Sequence, residues 1–276
     1  MKTILAAVNF SAASHNAALY ATELAKAFNA KLILVYACQP IPVPVSDLIV
    51  TFTPQQQDEE IMHELKEEAE ALDPIGITDI ETDYGEGRAG DVISEAVKKW
   101  QPDMVITGMK KHGKGIGRLF GSTVTSLIGK LSVPLLVIPQ EAAYIPPRFI
   151  ALATDADLNP KTNPHVTDVL CEIAQEFYSK LYMVRIVKDE VDEAFEMHNR
   201  PFRLNGIVRE LNPEYVFPHG DNVLKTLNDF VAACDISMLC MIAHQHKIFE
   251  HWFFTSNTRA MTFETHVPLL ILPEKK

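Results

Sequence analysis

Residues 104–140 read MVITGMKKHGKGIGRLFGSTVTSLIGKLSVPLLVIPQ, a run of strand, glycine-rich loop, helix and strand that contains no acidic residue. Met104 to Thr107 has the β-rich apolar composition of a short buried strand, and it ends at Gly108. Gly108, Gly113, Gly115, Gly117 and Gly121 come in close order, and residues without a Cβ let a backbone turn and approach a ligand where side chains would clash. Lys110, Lys111, Lys114 and Arg118 add positive charge to the same loop. Ser122 is placed to cap a helix that starts near Thr123 and buries Val124, Leu127, Ile128 and Leu131. A strand end, exposed N–H groups, a helix N-terminus and local cations together describe an anion site, with phosphate as its natural occupant. The same residues also fit a plain strand-to-helix connection with solvated lysines. A P-loop fits less well, because Gly115 stands where that motif, begun by Gly108 and continued by Gly113-Lys114, needs a hydroxyl for magnesium.

Working outward, Lys2 to Val8 reads as a first strand, and Ser11 or Ser14 can cap the helix after it. Ala18, Ala21, Leu24, Ala25 and Phe28 form that helix's apolar stripe, Asn29 is a left-handed stop, and Leu32 to Ala37 is a second buried strand. Thr53-Pro54-Gln-Gln56 opens a helix with Ile61, Leu65, Ala69 and Leu72 on its buried face. A third strand is expected around Ile77 to Tyr84. It leads through Gly85, Gly87 and Gly90 to a helix buried along Val92, Ile93, Ala96, Val97 and Trp100. Val133 to Pro139 closes the unit. Strands alternating with helices in this way predict a doubly wound, Rossmann-like α/β domain with a five-stranded parallel sheet, whose ligands sit outside the carboxyl ends of the strands. Gly108 falls at such an end.

The remainder of the chain repeats this pattern. SVPLLVIP at 132–139 aligns with HVPLLILP at 266–273, an offset of 134 (266 minus 132), while ELAKAFNAKLILV from Glu23 aligns with EIAQEFYSKLYMV from Glu172. RFIALATD at 148–155 repeats the opening strand. Two tandem domains are therefore expected, residues 1–140 and 148–276, joined by the linker EAAYIPP. The copies differ at the loop: under the 134 offset Gly108 becomes Ile242, Lys111 becomes Gln245, Gly121 becomes Thr255, and Ser122 alone keeps its type as Ser256. AHQHKIFEHWFFTS has no glycine, so the second copy is not expected to cradle a phosphate. Its histidines, His244, His246 and His251, could serve as metal ligands or as ordinary loop residues; with no cysteine or carboxylate at a recognised spacing, no metal is assigned.

Composition narrows the function. Over 276 residues, 25 Lys and Arg face 36 Asp and Glu, a net charge of -11 that disfavours general nucleic-acid binding. The opening MKTILAAVNFSAAS, with one lysine and an apolar run broken by Asn9, reads as a strand and not as a signal peptide, and no apolar run reaches a membrane span. Cys38, Cys171, Cys234 and Cys240 form no C-x-x-C pair, which points to reduced, mostly buried thiols and a cytoplasmic setting. No nucleophile elbow, H-E-x-x-H or kinase signature is present.

The pattern resembles the universal stress proteins in their tandem two-domain form, a likeness that covers essentially the whole chain. Family members open with a strand ending in V-D, here Val8-Asn9 and again Thr154-Asp155. They carry G-x2-G-x9-G-[ST] after the fourth strand, here Gly108-x2-Lys111-x9-Gly121-Ser122. The resemblance implies the adenine nucleotide alpha hydrolase-like fold, with the two halves paired through their last strands as a pseudo-dimer. It also implies an ATP or other adenine-nucleotide site, with magnesium, in the first half: Gly108, Lys111, Gly121, Ser122 and Thr123 at the phosphates, Asn9 at the ribose and Ala37 at the base. Lys114 is added on charge alone. The function implied by the likeness is that of a stress-response protein, not an enzyme beyond slow ATP turnover; the rival expectation is a nucleotide-free interaction scaffold or homodimeric partner-binding module.

Overall fold

The computed structural model describes residues 1–38, 54–76, 78–110, 122–128, 130–153, 167–189, 192–194, 211–243 and 266–273, with residues 54–57 and 122 described by backbone only. In chain order the first half runs β1 (Thr3–Val8), α1 (Ala12–Phe28), β2 (Lys31–Cys38), α2 (Pro54–Leu72), β3 (Ile80–Glu86), α3 (Ala89–Trp100), β4 (Met104–Met109), α4 (Ser122–Ile128) and β5 (Leu135–Pro139). The second runs β6 (Phe149–Ala153), α5 (Asp168–Glu176), β7 (Lys180–Val184), β8 (Glu214–Val216), α6 (Val223–Ala233), β9 (Met238–Ala243) and β10 (Leu269–Pro273).

The strands form one sheet in the order β3-β2-β1-β4-β5-β10-β9-β6-β7-β8, parallel at every junction except the antiparallel pair β5–β10. Apolar runs such as TILAAV and LLVIP become central strands because both faces are covered, and successive side chains point to opposite faces. Ile4, Ala6 and Val8 enter the core layer shared with α1, α2 and α5, while Leu5 and Ala7 enter the layer shared with α3, α4 and α6. The register repeats with the sequence: Val105 faces Leu135 and Leu239 faces Leu269, so both partners move by 134 (239 minus 105, 269 minus 135).

Local chemistry sets the boundaries. Ser11 and Ser14 share the start of α1 in a reciprocal capping box, and Asn29 ends the helix at φ 49°. Two expectations need correcting. The third strand lies at Ile80–Glu86, two residues beyond the expected end, because Gly85 and Glu86 continue the parallel ladder against Ala37 and Cys38. Gly85 is therefore a strand residue. Gly90 lies within α3, not before it, because the turn is made by Gly87 at φ 135°.

The halves also meet beside the sheet. The Met1 ammonium pairs with the Glu172 carboxylate, and the Phe28 and Phe177 rings meet edge to face at 6.0 Å. Asn16 Nδ2 donates to the carbonyls of Pro139 (3.1 Å) and Ala142 (2.9 Å), and Tyr144 packs on Tyr20 at 4.9 Å, so the chain leaving β5 is fastened to α1.

Candidate functional site

In the first half, the crossovers from β1 run outward to β2 and β3, whereas β4 and β5 lie on the other side of β1. The carboxyl ends of β1 and β4 therefore diverge into a crevice, the place where open α/β sheets hold ligands. A cavity of about 390 Å³ lies there, within the range of small-molecule sites. Asn9, Ala37, Gly108 and Thr123, four of the residues expected at a site, line it from the turn after β1, from β2, from β4 and from α4. Ser122 opens α4 as its first helical residue, one position inside the cap expected for it. Lys111, Lys114 and Gly121 lie outside the described residues, as do His244, His246 and His251.

The described lining carries one charged side chain, Lys110, and no carboxylate, although the chain as a whole is acidic. That contrast favours an anionic ligand. Ser11, Ser14, Thr107 and Lys110 also line the cavity but were not assigned to it from sequence. The serines were legible only as helix caps, and Lys110 only as loop charge. Ser14 Oγ accepts from the backbone N–H groups of Asn9 (3.2 Å) and Ser11 (3.1 Å), so the cap of α1 also shapes the β1 rim of the crevice.

Gly108 has a different role from the one its loop suggested. It sits inside β4, opposite Ile138, and a Cβ there would lie 2.1 Å from the Ala13 carbonyl oxygen and 2.5 Å from its carbon. The glycine is required by the close approach of α1, not by a left-handed turn. Its counterpart in β9 is Ile242 (108 plus 134), buried and opposite Leu272. The position that admits no Cβ in β4 thus carries a buried isoleucine side chain in β9.

Among the described residues no group of three or more His, Cys, Asp or Glu is arranged to hold a metal ion, and no helix is long and apolar enough to cross a membrane. All four cysteines are free; burial and then the Glu86 charge push the Cys38 thiol up, and burial raises Cys240 strongly, so neither is a ready thiolate nucleophile.

The sequence model of the universal stress protein family matches residues 1–139, half of the chain and the half that holds the crevice. The chain belongs to the universal stress protein family. Universal stress protein A of Photorhabdus laumondii is 31% identical over 142 residues, covering 50% of this chain and 94% of that protein. Its Escherichia coli K12 namesake is 32% identical over 145 residues, with the same coverage. The crystal structure of a universal stress protein from Archaeoglobus fulgidus superposes with a TM-score of 0.72 over 99% of this chain and 98% of that one. At 12% identity that likeness concerns the fold alone, but it extends the family fold past the first half and through the second.

Proposed function

We propose that the crevice between β1 and β4 binds an adenine nucleotide, that residues 148–276 form a degenerate second domain without such a site, and that the protein acts in a cytoplasmic stress response as a nucleotide-responsive binding protein and not as an enzyme. The observation that carries this reading is the convergence of Asn9, Ala37, Gly108 and Thr123 on one cavity at the topological switch point. A nucleotide placed there meets Lys110 and the Thr123 hydroxyl on the β4–α4 side and the Asn9 turn on the β1 side, with Ala37 and Val35 as an apolar wall for the base. Lys111, Lys114, Gly121 and Ser122 complete the proposed phosphate contacts, and magnesium accompanies ATP. Among the described residues the lining offers donors and one cation but no carboxylate to act as a general base, which supports binding over turnover.

The scaffold reading is less well supported, since β5 and β10, the strands that two chains would pair, already pair with each other. Equilibrium dialysis of the purified protein with ATP and magnesium tests the proposal: one equivalent bound per chain is expected. No binding at millimolar ligand would return the protein to the scaffold class.

A further inference from the structure

A buried hydroxyl lies in the floor of the crevice. Ala7 is in register with Val35 on one side and with Thr107 on the other, so these three residues form a row across β2, β1 and β4, and all three line the cavity. Ile93 from α3 and Val124 from α4 line it with them, so the surroundings of Thr107 are apolar. Thr107 is 4% exposed, and its hydroxyl has no hydrogen-bond partner among the described residues. Nor is that hydroxyl sealed, as the partnerless oxygens of Tyr20 and Thr78 are, so it opens onto the cavity that Thr107 lines. At the matching position of β9 (107 plus 134) stands Met241, also buried, so the second half carries no hydroxyl there.

Water satisfies such a hydroxyl while the cavity is empty. A ligand that covers it must supply a polar group in return, because a buried hydroxyl left unpaired weakens binding. The floor is too apolar to take a charged phosphate, which is better met by Lys110 beyond the end of β4. The group that reaches Thr107 is therefore neutral. Strands lie about 4.8 Å apart, so Thr107 stands about 10 Å along the row from Val35, in the wall proposed for the base, and on the strand that leads to Lys110. Between base and phosphates a nucleotide has its sugar. We infer that the Thr107 hydroxyl hydrogen-bonds one of the two ribose hydroxyls and makes the sugar a determinant of what the crevice accepts. This rests on the nucleotide reading and adds to it a specificity-determining residue.

The test is calorimetry of the full chain with ATP, 2′-deoxyATP and 3′-deoxyATP, each with magnesium, comparing wild type with Thr107→Val, which keeps the shape and loses the hydroxyl, and Thr107→Ser, which keeps the hydroxyl. Wild type is expected to bind one of the deoxy analogues about fivefold or more weakly than ATP. T107V should lose about as much for ATP and no longer distinguish that analogue from it, while T107S keeps the wild-type preference. Thr107→Ala serves in place of T107V should that variant not fold. A wild type that binds all three ligands alike, a T107V protein weakened equally for all three or unchanged, or a T107S protein that loses the preference overturns the inference while leaving nucleotide binding intact. Wild type that binds none of the three overturns both.

Discussion

Leu136 lies opposite Leu270 across the antiparallel β5–β10 pair, and 270 minus 136 is 134, so each leucine faces its own counterpart in the repeat. The flanking pairs are exchanged about that centre: Leu135 faces Ile271, the counterpart of Val137, and Val137 faces Leu269, the counterpart of Leu135. Residues that face their own copies mark a local two-fold axis, and the contact is isologous. Its strands are buried on both faces, so it acts as sheet core and not as a surface contact between halves.

Residues 1–140 expressed alone would carry β5 as a bare apolar edge, which templates pairing with another chain. Such a fragment should form a homodimer, while the full chain, with that edge covered, should not pair there. Sedimentation equilibrium of the two proteins checks this; a fragment that stays monomeric at its solubility limit contradicts it.

Gly108→Ala should destabilise the protein by about 1–3 kcal/mol, because its Cβ would lie 2.1 Å from the Ala13 carbonyl oxygen and backbone cannot rotate aside as a side chain can. Urea melts give the stability. Displacement of α1 should also disturb the Asn9 turn, so nucleotide affinity should fall with it. Unchanged stability would mean that the β4–α1 approach is looser than described.

Gly90 offers a cleaner coupling. A Cβ there would stand 2.3 Å from Ser126 Oγ and 3.0 Å from Ser126 Cβ, so α3 and α4 touch through a glycine. Gly90→Ala alone should destabilise the protein, whereas in a Ser126→Gly background it should cost little or be favourable, since alanine within a helix gains about 0.5–1 kcal/mol over glycine. A double-mutant cycle reads the coupling directly, and simple additivity would refute the contact.

The Tyr20–Tyr144 pair predicts an alkaline limit. Burial, followed by the Glu23 charge, pushes Tyr144 from its ordinary 10.0 up to about 12, and burial raises Tyr20 further. In both the folded state favours the neutral phenol, so this stabilisation is complete below pH 10 and is lost as pH rises through the raised values, where the unfolded chain ionises first. Tyr144→Phe should flatten the fall in stability between about pH 10 and 12. Chemical melts across that interval, with phenolate absorbance alongside, measure it.

Much of this was legible in the sequence because its signals are local. Uninterrupted apolar runs with Asn29 and the Ser11 cap located β1, α1 and β2, and the 134 offset foretold the matching registers of β4–β5 and β9–β10. The ladder was not legible. Gly85 resembles a turn residue, and only its pairing with Ala37 makes it part of a strand. The importance of Gly108 was visible but its cause was not, since the clash comes from Ala13, a residue 95 positions earlier (108 minus 13).

Joining the two copies in one polypeptide also changes what governs their association. A homodimer of single copies comes apart when diluted, by mass action, and its melting temperature depends on how much protein is present. In this chain the Leu136–Leu270 contact closes intramolecularly, so its formation is independent of abundance, and the sheet should remain whole in a cell that holds only a few molecules of it.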